Sequence, residues 1–146
     1  MKTGVSVVGV GLVLFAVMRA ASAAAPSSKL ERGKYLVDQV ALCGDCHTPH
    51  TEKGESIKEK YLKGSALFFK PTIPIPGWAD KSPNIAGLPG WEEEDAIKFF
   101  MTGLAYNELP GRPPLPQYRF NREDATAVVT YLRSLAPEAT AGGARK

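Results

Sequence analysis

The stretch Cys43-Gly44-Asp45-Cys46-His47 constrains this chain more than any other. It holds both cysteines and one of the two histidines. C-x-x-C-H is the spacing through which a heme is attached covalently. On a helical turn, residues three and four apart share a face. Cys43 and Cys46 therefore offer two thiols to the two vinyl groups along one porphyrin edge. His47, four residues after Cys43, brings an imidazole beneath the iron, and imidazole is an established proximal ligand of heme iron. The motif predicts one covalent heme c, held by Cys43 and Cys46 and ligated by His47.

Two other chemistries use the same residue types. A Cys43–Cys46 disulfide of the redox-active kind needs a strand–helix–strand setting, and the flanks do not alternate strand and helix patterns. Zinc could recruit Cys43, Cys46, His47 and His50. Zinc sites with such ligands separate their two pairs by about a dozen residues, whereas these four are crowded into one short stretch. Adjacent Cys46 and His47 also fit poorly around one tetrahedral ion.

The N-terminus supplies the context that heme attachment needs. Met1-Lys2 is a short basic start, Gly4 to Val17 is uncharged and mostly apolar, and residues 20–25 are small. This is the pattern of a secretory leader with cleavage near 23–25. The apolar run is shorter than the roughly 20 residues that span a bilayer, and Arg19 closes it. A cleaved leader over 1–25 is the expectation, and membrane attachment follows only if it is retained. Loss of Lys2 and Arg19 would take the formal charge from +3 to +1. With no long basic run, nucleic-acid binding is not expected.

The remainder divides into a domain over 26–137 and a small, polar tail over 138–146. A helix is expected from Ser28 to about Leu42, capped at Ser27 or Ser28, with Leu30, Gly33, Val37 and Val40 on one face. His50 to Lys70 is polar and rich in lysine. It reads as a solvated loop, or as a docking surface for an acidic partner. Pro71, Pro74, Pro76, Pro83 and Pro89 rule out a regular helix in the next stretch. Leu67, Phe68, Phe69, Ile73, Ile75, Trp78 and Ile85 punctuate it, as a chain wrapping a flat apolar group would require. A second helix spans Trp91 to Gly103, with Glu92 to Asp95 in its first turn, where carboxylates suit the helix dipole. Ile97, Phe100, Met101 and Leu104 form its stripe. A second proline-rich loop, Ala105 to Phe120, precedes a last helix over Asn121 to Ala136, with Ala125, Val128, Val129, Leu132 and Leu135 turned inward.

Taken together, Arg32-Gly33-Lys34-Tyr35-Leu36, the C-x-x-C-H-T-P run, Ser82-Pro83-Asn84-Ile85, Thr102-Gly103, Pro113-Pro114-Leu115-Pro116-Gln117-Tyr118 and Glu123-Asp124-Ala125 leading to Tyr131-Leu132-Arg133-Ser134-Leu135 resemble class I c-type cytochromes, especially bacterial single-heme domains. The resemblance covers about 28–136. It implies a small all-α fold of about three main helices around the heme, with the first and last helices crossing near Gly33 and Tyr131-Leu132.

The resemblance further implies a periplasmic electron carrier, either soluble or the electron-transfer subunit of a dehydrogenase or respiratory complex. It would exchange electrons with a dehydrogenase, an oxidase or another cytochrome, and would not itself be an enzyme. In one respect the chain departs from the family. Such cytochromes usually take a sixth iron ligand from a methionine in the loop before the last helix, and here that position is Leu115. The loop 105–120 has no Met, His, Lys or Cys, and Met101 is the only methionine beyond the leader. A five-coordinate heme that binds or senses a small gas ligand is the alternative that Leu115 raises. A peroxidase-like site would need distal acid–base groups, for which the loop offers only Glu108 and Arg112.

Overall fold

The computed structural model describes residues 28–136. The expected leader and the tail 138–146 lie outside the described residues.

The first helix, α1, covers Lys29–Tyr35. Ser28 and Glu31 close a capping box: the Ser28 hydroxyl accepts from the Glu31 amide at 3.2 Å, and the Glu31 carboxylate accepts from the Ser28 amide at 2.8 Å. Two of the orphan amides at the helix start are satisfied in this way. The helix then widens into a π-helical turn, Leu36–Val40, closed by the Ala41 amide on the Leu36 carbonyl. Widened turns of this kind are rare and concentrate at functional sites. Leu42 follows with φ 50°, a left-handed conformation that is strained for leucine. That break separates the first helical run from α2, Cys43–His47.

A 3-10 turn at Lys58–Lys60 leads to a two-stranded antiparallel ribbon. Its strands, β1 (Ser65–Ala66) and β2 (Lys81–Ser82), pair Ser65 with Ser82. Helix α3 covers Glu93–Thr102 and stops at Gly103, whose φ of 76° suits the absent Cβ. Helix α4 covers Arg122–Ser134. It is capped by the Asn121 side chain, which accepts from the Asp124 amide at 2.8 Å. The expected all-α architecture of three main helices is present, with ends one or two residues inside those expected once the π turn is counted with α1.

The packing is built on α1 against α4. A Cβ on Gly33 would lie 2.0 Å from the Ala127 carbonyl oxygen and 2.8 Å from the Tyr131 Cβ. Only glycine permits the two backbones this approach. The crossing expected at Gly33 is therefore present. Arg32 adds a two-pronged bond to Asp124, at 2.8 and 3.1 Å. The face of the first helix differs from expectation: Gly33, Leu36 and Val37 are buried, while Leu30 and Val40 are about half exposed (45% and 50%). The π turn adds a residue to one turn, so Val40 rotates off the face that a regular helix would give it. In α4, Ala125, Val128, Val129 and Leu132 are buried as expected, joined by Ala127 and Tyr131.

Candidate functional site

The short helix α2 brings Cys43, Cys46 and His47 to one cavity of about 590 Å³. Cys43 and His47 are buried. The two cysteines are free thiols and not a disulfide. Among the described residues, no group of three or more His, Cys, Asp and Glu side chains gathers as a multidentate metal site. His50, which a zinc ion would have to recruit, turns away. Its Nε2 pairs with the Ser56 hydroxyl at 3.1 Å, and its ring meets Phe68 edge-on.

His47 is oriented by one bond. Its Nδ1 lies 2.8 Å from the Pro83 carbonyl oxygen. A carbonyl only accepts, so Nδ1 carries the proton and donates, and Nε2 keeps its lone pair. Burial lowers the pKa of His47 below the ordinary imidazole value, opposed by the Pro83 bond. The neutral ring is the form that binds a metal, and the partner on the second nitrogen fixes its tautomer and tilt. The sequence left this partner open.

The rest of α2 is anchored through its last carbonyls. The Cys46 carbonyl accepts from the Ser82 hydroxyl at 2.6 Å, and the His47 carbonyl accepts from the Gly64 amide at 2.8 Å. Both donors come from the β ribbon region, so the ribbon fixes the height of the motif over the cavity. Thr48, almost fully buried, accepts from the Leu62 amide at 3.1 Å. Burial pushes the Cys43 thiol up to about 12 and raises Cys46 as well. Burial therefore disfavours the thiolate form at both sulfurs.

The cavity wall is largely apolar, with Leu67, Phe69, Ile85, Leu88, Phe99 and Phe100 among its lining. Leu67, Phe69 and Ile85 are the part of the proline-rich stretch that covers the cavity as expected. Phe68 and Ile73 do not cover it and are exposed (77% and 67%). Proline prevents this segment from forming a periodic element, so alternate residues fall outward. Leu115 lines the cavity, whereas Met101 does not and packs instead against the core.

A heme fits these residues on independent grounds. The wall offers an apolar surface, with both cysteines and His47 on one side of the chain. Trp78 Nε1 is buried without a hydrogen-bond partner among the described residues. Its indole packs against Phe69, and Phe69, Ala79 and Arg112 line the cavity. A buried unpaired donor is costly. A carboxylate-bearing ligand reaching this corner, such as a porphyrin with its propionates, would supply the missing acceptor.

Comparison with known proteins agrees with this geometry. The family model for cytochrome c matches residues 30–136. The cytochrome subunit of fructose dehydrogenase from Gluconobacter japonicus is 31% identical over 76% of this chain and 23% of its own length. The cytochrome c subunit of gluconate 2-dehydrogenase from Pantoea cypripedii is 32% identical over 73% of this chain and 26% of its own. The cytochrome c subunit of a quinone-type alcohol dehydrogenase from Gluconobacter oxydans is 28% identical over 73% of this chain and 24% of its own. The chain spans about a quarter of the length of these curated relatives.

Proposed function

Because this chain belongs to the cytochrome c family, we propose that it is an exported single-heme c-type cytochrome that carries electrons for a dehydrogenase or respiratory complex. The observation that carries this reading is the convergence of Cys43, Cys46 and His47 from α2 on one apolar cavity, with His47 Nδ1 tied to the Pro83 carbonyl. Cys43 and Cys46 would hold the porphyrin edge through thioethers, and His47 Nε2 would ligate the iron. When bound, the heme supplies a one-electron redox centre at its iron. The protein's own part is to fix the ring and exclude water with an apolar wall. The relatives, cytochrome subunits of dehydrogenases, support a carrier role over a catalytic one.

The two cysteines permit one such attachment, which supports a single heme. Export to the periplasm rests on the leader pattern over 1–25. Among the described residues no helix is long and apolar enough to cross a membrane. The relatives are cytochrome subunits of dehydrogenases, which favours a dehydrogenase as electron donor. Protein-film voltammetry of the heme-loaded chain tests this. A single reversible one-electron wave, lost in His47→Ala, is the expected result. A catalytic wave with no partner present contradicts the carrier reading.

A further inference from the structure

We infer that the cavity leaves one coordination position of the iron without a protein ligand, and that this position takes small uncharged diatomic ligands, with Leu115 controlling access. The inference rests on the heme-binding reading above and goes beyond it.

Three polar side chains on the cavity wall are already committed. Asn84 Oδ1 accepts from the Ala86 amide at 3.0 Å in its own turn. The Tyr118 hydroxyl donates to the Ala41 carbonyl at 3.0 Å, and burial pushes its phenol up to about 12, so no phenolate forms. Arg112 donates to the Gly77 and Trp78 carbonyls, each at 2.9 Å, and a guanidinium does not lose its proton to become a ligand. Asp45 lies within the attachment helix itself, and Lys81 directly precedes Ser82, which bonds the Cys46 carbonyl. Asp45 thus shares the helix of His47, and Lys81 is exposed. Met101 and His50 do not line the cavity.

On the loop around Leu115, the residue lining the cavity between Pro114 and Pro116 presents a branched alkyl group with no ligating atom. Leu115 is itself backed tightly. A Cβ on Gly111 would lie 2.9 Å from Leu115 Cδ2 and 3.1 Å from Phe99 Cζ. Gly111 thus lets Leu115 settle back against Phe99 and holds it in place. Distal polarity and steric access decide which ligands heme iron accepts. An alkyl group at this position favours neutral diatomics such as carbon monoxide or nitric oxide over anions.

The experiment uses the heme-loaded chain and carbon monoxide as the probe, read by absorption spectra and stopped flow. The ferrous wild type should be five-coordinate and high-spin, with association linear in carbon monoxide concentration. Leu115→Met should convert it to six-coordinate low-spin and abolish that linear dependence. Leu115→Ala should speed association. Gly111→Ala should slow it by pushing Leu115 forward, with the high-spin signature retained. A ferrous wild type that is low-spin and forms no carbon monoxide adduct overturns the inference. So does a high-spin form created only by Met101→Leu. In both cases the carrier reading stands. A pyridine hemochromogen spectrum on the same sample separates the two failures, because absence of a c-type signature overturns both readings.

Discussion

Ser82 has more to hold than a surface serine. Its hydroxyl donates to the Cys46 carbonyl at 2.6 Å and accepts from the Ser65 amide at 3.0 Å. It joins α2 to both strands of the ribbon. Ser82→Ala leaves the Cys46 carbonyl unpaired beside the cavity and should cost about 1–2 kcal/mol, read as a lower urea midpoint. An unchanged midpoint would mean that water replaces the hydroxyl without loss. Tyr61 is a comparable case. Its hydroxyl donates to Asp38, which also pairs with Lys34, and it lies 3.5 Å from the Tyr131 hydroxyl. This polar knot ties the π turn to α4 through side chains far apart in sequence, so no local pattern announces it.

At the scale of elements, α1 and α4 hold the molecule together, and Gly33 is the contact that allows it. Gly33→Ala places a methyl 2.0 Å from the Ala127 carbonyl oxygen. Overpacking of that kind should cost about 3 kcal/mol, with the melting temperature as the readout, and a neutral effect would mean that the helices separate freely. Asn121→Ala removes the cap of α4 and should cost about 1 kcal/mol.

These elements were legible in the sequence to different degrees. The caps at Ser28 and Asn121, the stop at Gly103 and the α4 stripe follow from local chemistry and helical period. The Gly33 crossing and the Leu115 position came from family resemblance. The π turn at Leu36–Val40 was not readable, because an inserted residue in a helical turn leaves the composition unchanged. Leu62, fully buried under the lysine-rich loop, was missed because its neighbours in sequence are polar. The Pro83 and Ser82 contacts to α2 depend on a chain return from 36 residues away, which no spacing rule reaches.

For the whole molecule, charge sets both stability and encounter. Asp124 is held below the ordinary carboxylate range by its hydrogen bonds to Arg32. Its contribution is complete above the unfolded carboxylate pKa and is lost as pH falls through the depressed folded value. Because Arg32 is exposed, the effect is modest. Arg32→Gln should flatten the acid limb of the stability curve, and an unaltered limb would show that solvent screens the pair. Lys53, Lys58, Lys60, Lys63 and Lys70 are exposed on one loop region, and Glu92, Glu93 and Glu94 are exposed at the start of α3. If either patch steers a redox partner, the electron-transfer rate falls as ionic strength rises. A salt-independent rate would exclude both.

The intact mass of the matured chain, taken after acid–acetone extraction, decides whether Cys43 and Cys46 carry a covalent heme. The expected product is a polypeptide beginning near residues 24–26 that retains one heme, with the heme extracted from the Cys43→Ala, Cys46→Ala double variant. A wild-type mass equal to the bare polypeptide, from cells able to mature c-type cytochromes, would contradict covalent attachment.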